Sequence, residues 1–174
     1  MLKQLVFWTM LMLTISNHSD SAVAQSELQT AQDLLAVVKQ FYEPYVTNSD
    51  SGNPPDALLV LAKVATPHLK WLIARDEACE DQTHEICWID FDPIVGAQDY
   101  DFGGKYPKFS EKITRTGIVV VAKYGYPADE FSPARNYDIY YDFIFDGKKY
   151  LLSGVRGNTT DGRYDLVHVL SEKF

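Results

Sequence analysis

Four aspartates fall within twelve residues, at Asp90, Asp92, Asp99 and Asp101, in the stretch D-F-D-P-I-V-G-A-Q-D-Y-D. Calcium takes oxygen ligands from clusters of this kind, which makes the stretch a candidate cation loop. The calcium-loop template D-x-[DN]-x-[DN]-G is not met, because Ile94 and Val95 stand where the third ligand and the glycine belong. The alternative is a structured turn in which aspartates bond backbone amides and Pro93 fixes the path. Asp90, Asp92, Gln98, Asp99 and Asp101 are therefore read as a ligand-binding or a structural loop, and the question of a metal stays open.

Acid/base chemistry would need a carboxylate and a histidine in one pocket. Beyond the N-terminal segment the histidines are His68, His84 and His168. His68 falls in the first turn of an expected helix and His84 between two cysteines, both positions that face solvent; His168 could face a core beside Tyr164. Serine-nucleophile, P-loop and dinucleotide fingerprints do not occur, so no catalytic set and no cofactor is assigned. The two cysteines, Cys79 and Cys87, bracket seven residues. Outside the cytoplasm so close a pair reads as a disulfide, whereas a thiol nucleophile would require one of them to stay reduced. A zinc site built from both cysteines and His84 would lack a closing ligand.

Tyrosine is abundant in the centre of the chain. On one expected strand Asp138, Tyr140 and Asp142 alternate with apolar residues, which puts all three on its wet face. A ring that buries area while its hydroxyl stays satisfied suits protein contacts, so this trio is the candidate contact patch. Asn158-Thr159-Thr160 is a formal glycosylation sequon that reads more simply as a turn.

The elements that must position these groups change period along the chain. Ser26-Glu27-Leu28-Gln29 has the form of a capping box, followed by Leu28, Ala31, Leu34, Leu35, Val38, Phe41, Tyr42 and Tyr45 at helical steps, predicting a helix to Thr47. Pro54 and Pro55 suit the start of a second helix carrying Leu58, Leu59, Leu61 and Ala62, and Thr66 suits the cap of a third, with Leu69, Leu72 and Ile73 on one face. Residues 113–124 then read as a central strand. Residues 137–145 alternate, with Tyr137, Ile139, Tyr141, Phe143 and Phe145 inward; Asp146-Gly147 is a two-residue turn signal; and 149–156 returns as the partner strand. The tail from Tyr164 fits a short helix better than a strand. Helices first and antiparallel strands afterwards give an α+β domain with N-terminal helices on a curved antiparallel sheet, a cone with a pocket between sheet and long helix.

The N-terminus has one lysine, an apolar run over residues 5–15 and the triplet Ala22-Val23-Ala24, the three-part pattern of a signal peptide cut after Ala24. A membrane anchor would need roughly 18 to 20 apolar residues. Residues 1–24 are thus expected to leave a single domain, 25–174, in the periplasm or secreted, with no stable membrane anchor. Lys3 and Asp20 cancel, so that domain keeps the formal charge of −8. This balance argues against nucleic acid or an anionic membrane and permits a basic partner.

The stretch D-F-D-P-I-V-G-A-Q-D from Asp90, the Phe41-Tyr42 pair and the Tyr150-Leu151-Leu152-Ser153-Gly154-Val155 element together resemble the bacterial domain-of-unknown-function family 3828. The resemblance spans most of 25–174 and implies a small exported protein with a nuclear-transport-factor-2-like cone fold; it implies no activity. Gly154-Val155-Arg156-Gly157-Asn158 departs from that family's usual ending. The expected function is a non-enzymatic binding module for a small ligand or a basic protein, an immunity-type inhibitor being one version. The alternative is a small hydrolase or isomerase working through Asp92 or Asp99, with or without a cation.

Overall fold

Apolar residues at three- and four-residue steps wind the N-terminal part of the chain into one long helix, α1 (Leu5–Thr47). The computed structural model describes residues 5–47, 56–97, 106–126, 135–159 and 162–172, with side chains from Gln25 onward. The capping-box sequence at Ser26 therefore does not begin α1, which runs through it from Leu5. At 1.5 Å per residue the 43 residues of α1 span about 64 Å. Leu28 is half exposed, and the buried stripe starts at Ala31 and continues through Val38, Phe41, Tyr42 and Tyr45.

The short helix α2 (Ala57–Ala62) starts from Asp56, whose carboxylate accepts from the Leu59 amide at 3.1 Å. Pro54 and Pro55 lie outside the described residues. Helix α3 (Pro67–Thr83) is capped by Thr66, with Leu69, Leu72 and Ile73 buried as their spacing predicts. It stops where His84 turns left-handed at φ 59° and gives its amide to the Glu80 carbonyl.

A five-stranded antiparallel meander follows, in the order β1 (Lys108–Ile113), β2 (Ile118–Tyr126), β3 (Arg135–Phe145), β4 (Tyr150–Thr159) and β5 (Gly162–Asp165). The strand expected over 113–124 is strand from Ile118 onward, while Ile113 ends β1, because Thr114 to Gly117 turn the chain. The Thr114 hydroxyl bonds the Gly117 amide and carbonyl, and Gly117 lies so close to Phe143 that a Cβ would overlap the Phe143 carbonyl. Ile118, Val120 and Ala122 face the helices with Tyr137, Ile139, Tyr141 and Phe143; Phe145, expected among them, projects beyond the helical layer and is 56% exposed.

The β3–β4 turn is longer than the Asp146-Gly147 signal implies. The Asp146 carboxylate accepts from the Lys148 and Lys149 amides at 2.8 and 2.9 Å, so strand pairing resumes only at Phe145 with Tyr150. A bulge follows, and beside it the α2–α3 link docks on β4: Thr66 donates to the Leu152 carbonyl and Leu152 to that of Val64. Asn158 and Thr159, read as part of a turn, continue β4, and Thr160 lies outside the described residues. The tail is strand and helix in succession: Tyr164 lies in β5, and the Asp165 carboxylate caps α4 (Leu166–Ser171) through the Val167 and His168 amides.

The chain is thus α+β, with N-terminal helices laid against one face of an antiparallel sheet in a cone-like arrangement. Helix α1 covers β1 and β2, while α3 and α4 close the β4 side. No helix among the described residues is long and apolar enough to cross a membrane.

Candidate functional site

Among the described residues, the turn Asp92–Ala97 occupies space between α1 and the sheet, where a pocket is expected. Residues Asp92 to Ala97 form a tight turn: the Asp92 amide donates to the Ala97 carbonyl and the Gly96 amide to the Asp92 carbonyl. Gly96 supplies the left-handed step at φ 64°, and its α-carbon abuts the Asn158 carbonyl so closely that a Cβ would stand 2.7 Å from it. Ile94 and Val95 at the tip have no exposed surface.

Four tyrosines hold this turn. The Tyr42 and Tyr141 hydroxyls lie 2.7 and 2.8 Å from the Ile94 carbonyl oxygen and 2.9 Å from each other. Tyr164 donates to the Pro93 carbonyl at 2.7 Å, and Tyr45 to the Asp92 carboxylate at 2.6 Å. Buried carbonyls are thereby satisfied where no secondary structure could satisfy them. Burial pushes the Tyr42, Tyr141 and Tyr164 hydroxyls above the ordinary tyrosine range, so they are neutral donors rather than bases.

Asp92, half-buried, is committed to this turn. One carboxylate oxygen accepts from the Ile94 and Val95 amides at 2.8 and 3.4 Å, the other from Tyr45. Burial raises its pKa, and the Tyr45, Ile94 and Val95 hydrogen bonds partly offset that rise. Asp90 is exposed. Gln98, Asp99 and Asp101 lie outside the described residues. Among the described residues no three acidic, histidine or cysteine side chains converge as a metal set would. His68, His84 and His168 are all exposed, and His168 faces solvent rather than a core.

Cys79 and Cys87 are joined as a disulfide, with Cα atoms 6.1 Å apart. Next to it Asp76, buried at 1% exposure, accepts from the Trp88 amide at 3.1 Å, and desolvation raises its pKa. The Arg75 guanidinium stacks 4.3 Å over Trp88 and donates to the Leu170 and Glu172 carbonyls, which fastens α4 to α3.

On the outer face of the sheet Asp138, Tyr140 and Asp142 do stand together, but each has a partner that lies elsewhere in the sequence. Lys123 on β2 pairs with Asp138 at 2.9 Å. Arg156 on β4 grips Asp142 with two bonds of 2.7 and 3.0 Å and lies 4.9 Å over the Tyr140 ring. The Tyr140 hydroxyl reaches back to Asp138 at 3.4 Å. The face is therefore a strip of alternating charge, with Arg156 at its centre. This strip continues into an open groove of about 520 Å³ between β4 and α4, lined by Asp142, Ser153, Arg156, Asp165, His168 and Ser171 among others.

None of the family models, curated proteins or solved structures compared with the chain matches it.

Proposed function

We propose that this is an exported, non-enzymatic binding module that holds a small polar ligand or a basic protein segment in the groove between β4 and α4. The observation that carries this reading is the contrast between the two faces of the sheet. The inner face is closed by the turn at Asp92–Ala97, whose polar groups are spent on the fold. The outer face offers a groove floored by a preorganised charged pair, with Asp142 and Asp165 flanking Arg156. Two carboxylates around one guanidinium leave a negative margin that suits a cationic group, and a fixed, partly desolvated pair gives it orientation. His168 stands on the lining of this groove, whereas His68, His84 and the disulfide lie outside it. For the hydrolase or isomerase alternative, both Asp92 oxygens already accept hydrogen bonds, and Asp99 lies outside the described residues.

Export is supported by the leader pattern and by the placement of the first core residue, Ala31, which leaves residues 25–30 between the expected cut and the body. The test is capture of partners from the cell-envelope fraction by the parent and by Asp142→Lys, together with a thermal-shift screen of small cationic and zwitterionic compounds. Capture or stabilisation abolished by Asp142→Lys supports the groove. Capture and stabilisation unchanged by it remove the groove from the function.

A further inference from the structure

The formal charge of −8 is not spread evenly. The β1–β2 and β3–β4 turns stand side by side at one end of the sheet, since Ile118 pairs with Phe143 and Gly117 abuts Phe143 and Ile144. Over residues 111–116 and 144–150 the charged side chains are Lys112, Arg115, Lys148 and Lys149 against Glu111 and Asp146. Four cations and two carboxylates leave +2 here, and hence −10 on the rest of the chain. All four cations are exposed, and none pairs with a carboxylate among the described residues. Asp146 is turned to the Lys148 and Lys149 amides, so its charge is directed into the turn.

Between these cations the same two turns present apolar surface. Phe145 is 56% exposed, Ile113 43% and Ile144 39%. Phe145 packs on Tyr150 with ring centroids 5.3 Å apart, an aromatic pair with a polar hydroxyl at its margin. Exposed apolar residues scattered singly mean little, but three on two adjacent turns, with cations interspersed in the sequence, give this end of the sheet a definite chemistry. Apolar side chains at the tip can enter the acyl boundary while lysines and arginine meet anionic headgroups. The remaining −10 makes the molecule an electric dipole that turns this end toward a negative surface.

We infer that the paired turns at 111–116 and 144–150 dock on an anionic lipid bilayer surface. The net charge of the whole chain, which argues against such a partner, is the wrong quantity here, because screening limits each headgroup to the charges within about 10 Å of it.

The experiment is co-sedimentation of the full chain with vesicles of phosphatidylcholine alone and of phosphatidylcholine mixed with phosphatidylglycerol. The N-terminal apolar segment is common to every variant, so partition onto pure phosphatidylcholine measures its share. The parent binds the mixed vesicles on the order of tenfold more tightly than the neutral ones, and added salt reduces the difference. The double variant Lys148→Glu/Lys149→Glu abolishes the preference, Phe145→Ser weakens binding to mixed vesicles several-fold, and Lys108→Glu/Arg163→Glu, the same charge change at the far end of the sheet, retains it. Circular dichroism checks that each variant is folded. Equal binding by the parent and the tip variants overturns the inference, as does equal loss in Lys108→Glu/Arg163→Glu. Binding to soluble dextran sulfate without binding to mixed vesicles also overturns it, by showing a polyanion site rather than a lipid one.

Discussion

The hydroxyl oxygens of Tyr42, on α1, and Tyr141, on β3, lie 2.9 Å apart with the Ile94 carbonyl oxygen within hydrogen-bond distance of both. Three short contacts share two protons. Either both hydroxyls donate to Ile94, or one donates to Ile94 and the other to its neighbour. Removing one hydroxyl leaves the carbonyl with a donor; removing both leaves it buried and unpaired. Tyr42→Phe and Tyr141→Phe are each expected to cost about 1 kcal/mol, and the double variant about 1 kcal/mol or more beyond their sum. Urea unfolding of the four proteins in a double-mutant cycle measures the coupling; strict additivity would show that the two hydroxyls act independently.

Asp92 and Asp76 both have raised pKa values through burial. A raised carboxyl binds its proton more tightly folded than unfolded, so its contribution is fully present below the unfolded value and is lost as pH climbs to the folded one. Stability should therefore decline from about pH 4 upward until both groups are ionised in the fold. In Asp92→Asn/Asp76→Asn this decline is expected to disappear. Unfolding free energies across the acidic and neutral range decide it, and a double variant with the parent's slope would assign the slope to other groups.

Reduction of the Cys79–Cys87 disulfide opens a short loop and should cost about 2 kcal/mol, at the low end for such links. The Asp76 bond to the Trp88 amide and the Arg75 stack on the Trp88 ring continue to hold the loop when the disulfide is cut. Thermal unfolding with and without reductant reads the cost. Loss of all cooperative unfolding on reduction would mean that these two contacts hold nothing by themselves.

Gly96→Ala meets both a left-handed backbone and the Asn158 carbonyl, whereas Gly147→Ala meets a positive φ with open space around it. The first should destabilise by about 3 kcal/mol or more, the second by about 1 kcal/mol. Comparable losses in the two would show that the turn can back away from β4.

The helices, the cap at Thr66 and the inward side of β3 are legible because each depends on local spacing. The acidic stretch is legible as a turn in principle, since Asp92, Pro93 and Gly96 are turn chemistry, but not the tyrosines that hold it. Tyr45 and Asp92 are 47 residues apart and Tyr42 and Tyr141 are 99 apart, distances over which no period carries information. The partner of Asp142 was hidden for a different reason. A two-residue turn at Asp146-Gly147 would set Ser153 opposite Tyr140; the longer turn moves the register by two and the bulge by one, and Arg156 arrives there instead. The bulge follows from the docking of Val64 and Thr66 on Leu152, which no reading of the strand by itself can anticipate.

The meander pairs every strand with its sequence neighbour, yet the face of α1 that carries Phe41 and Tyr42 rests on Ile94, Phe109 and Tyr141. While the polypeptide is being made, the first helix waits past the middle of the chain for Ile94 and Phe109, and it lacks Tyr141 until four-fifths of the chain has emerged. Its greasy side is only partly covered in that interval, and tertiary closure waits for the arrival of β3. In a chain arranged in this order the last contacts of the first helix are also among the longest in sequence.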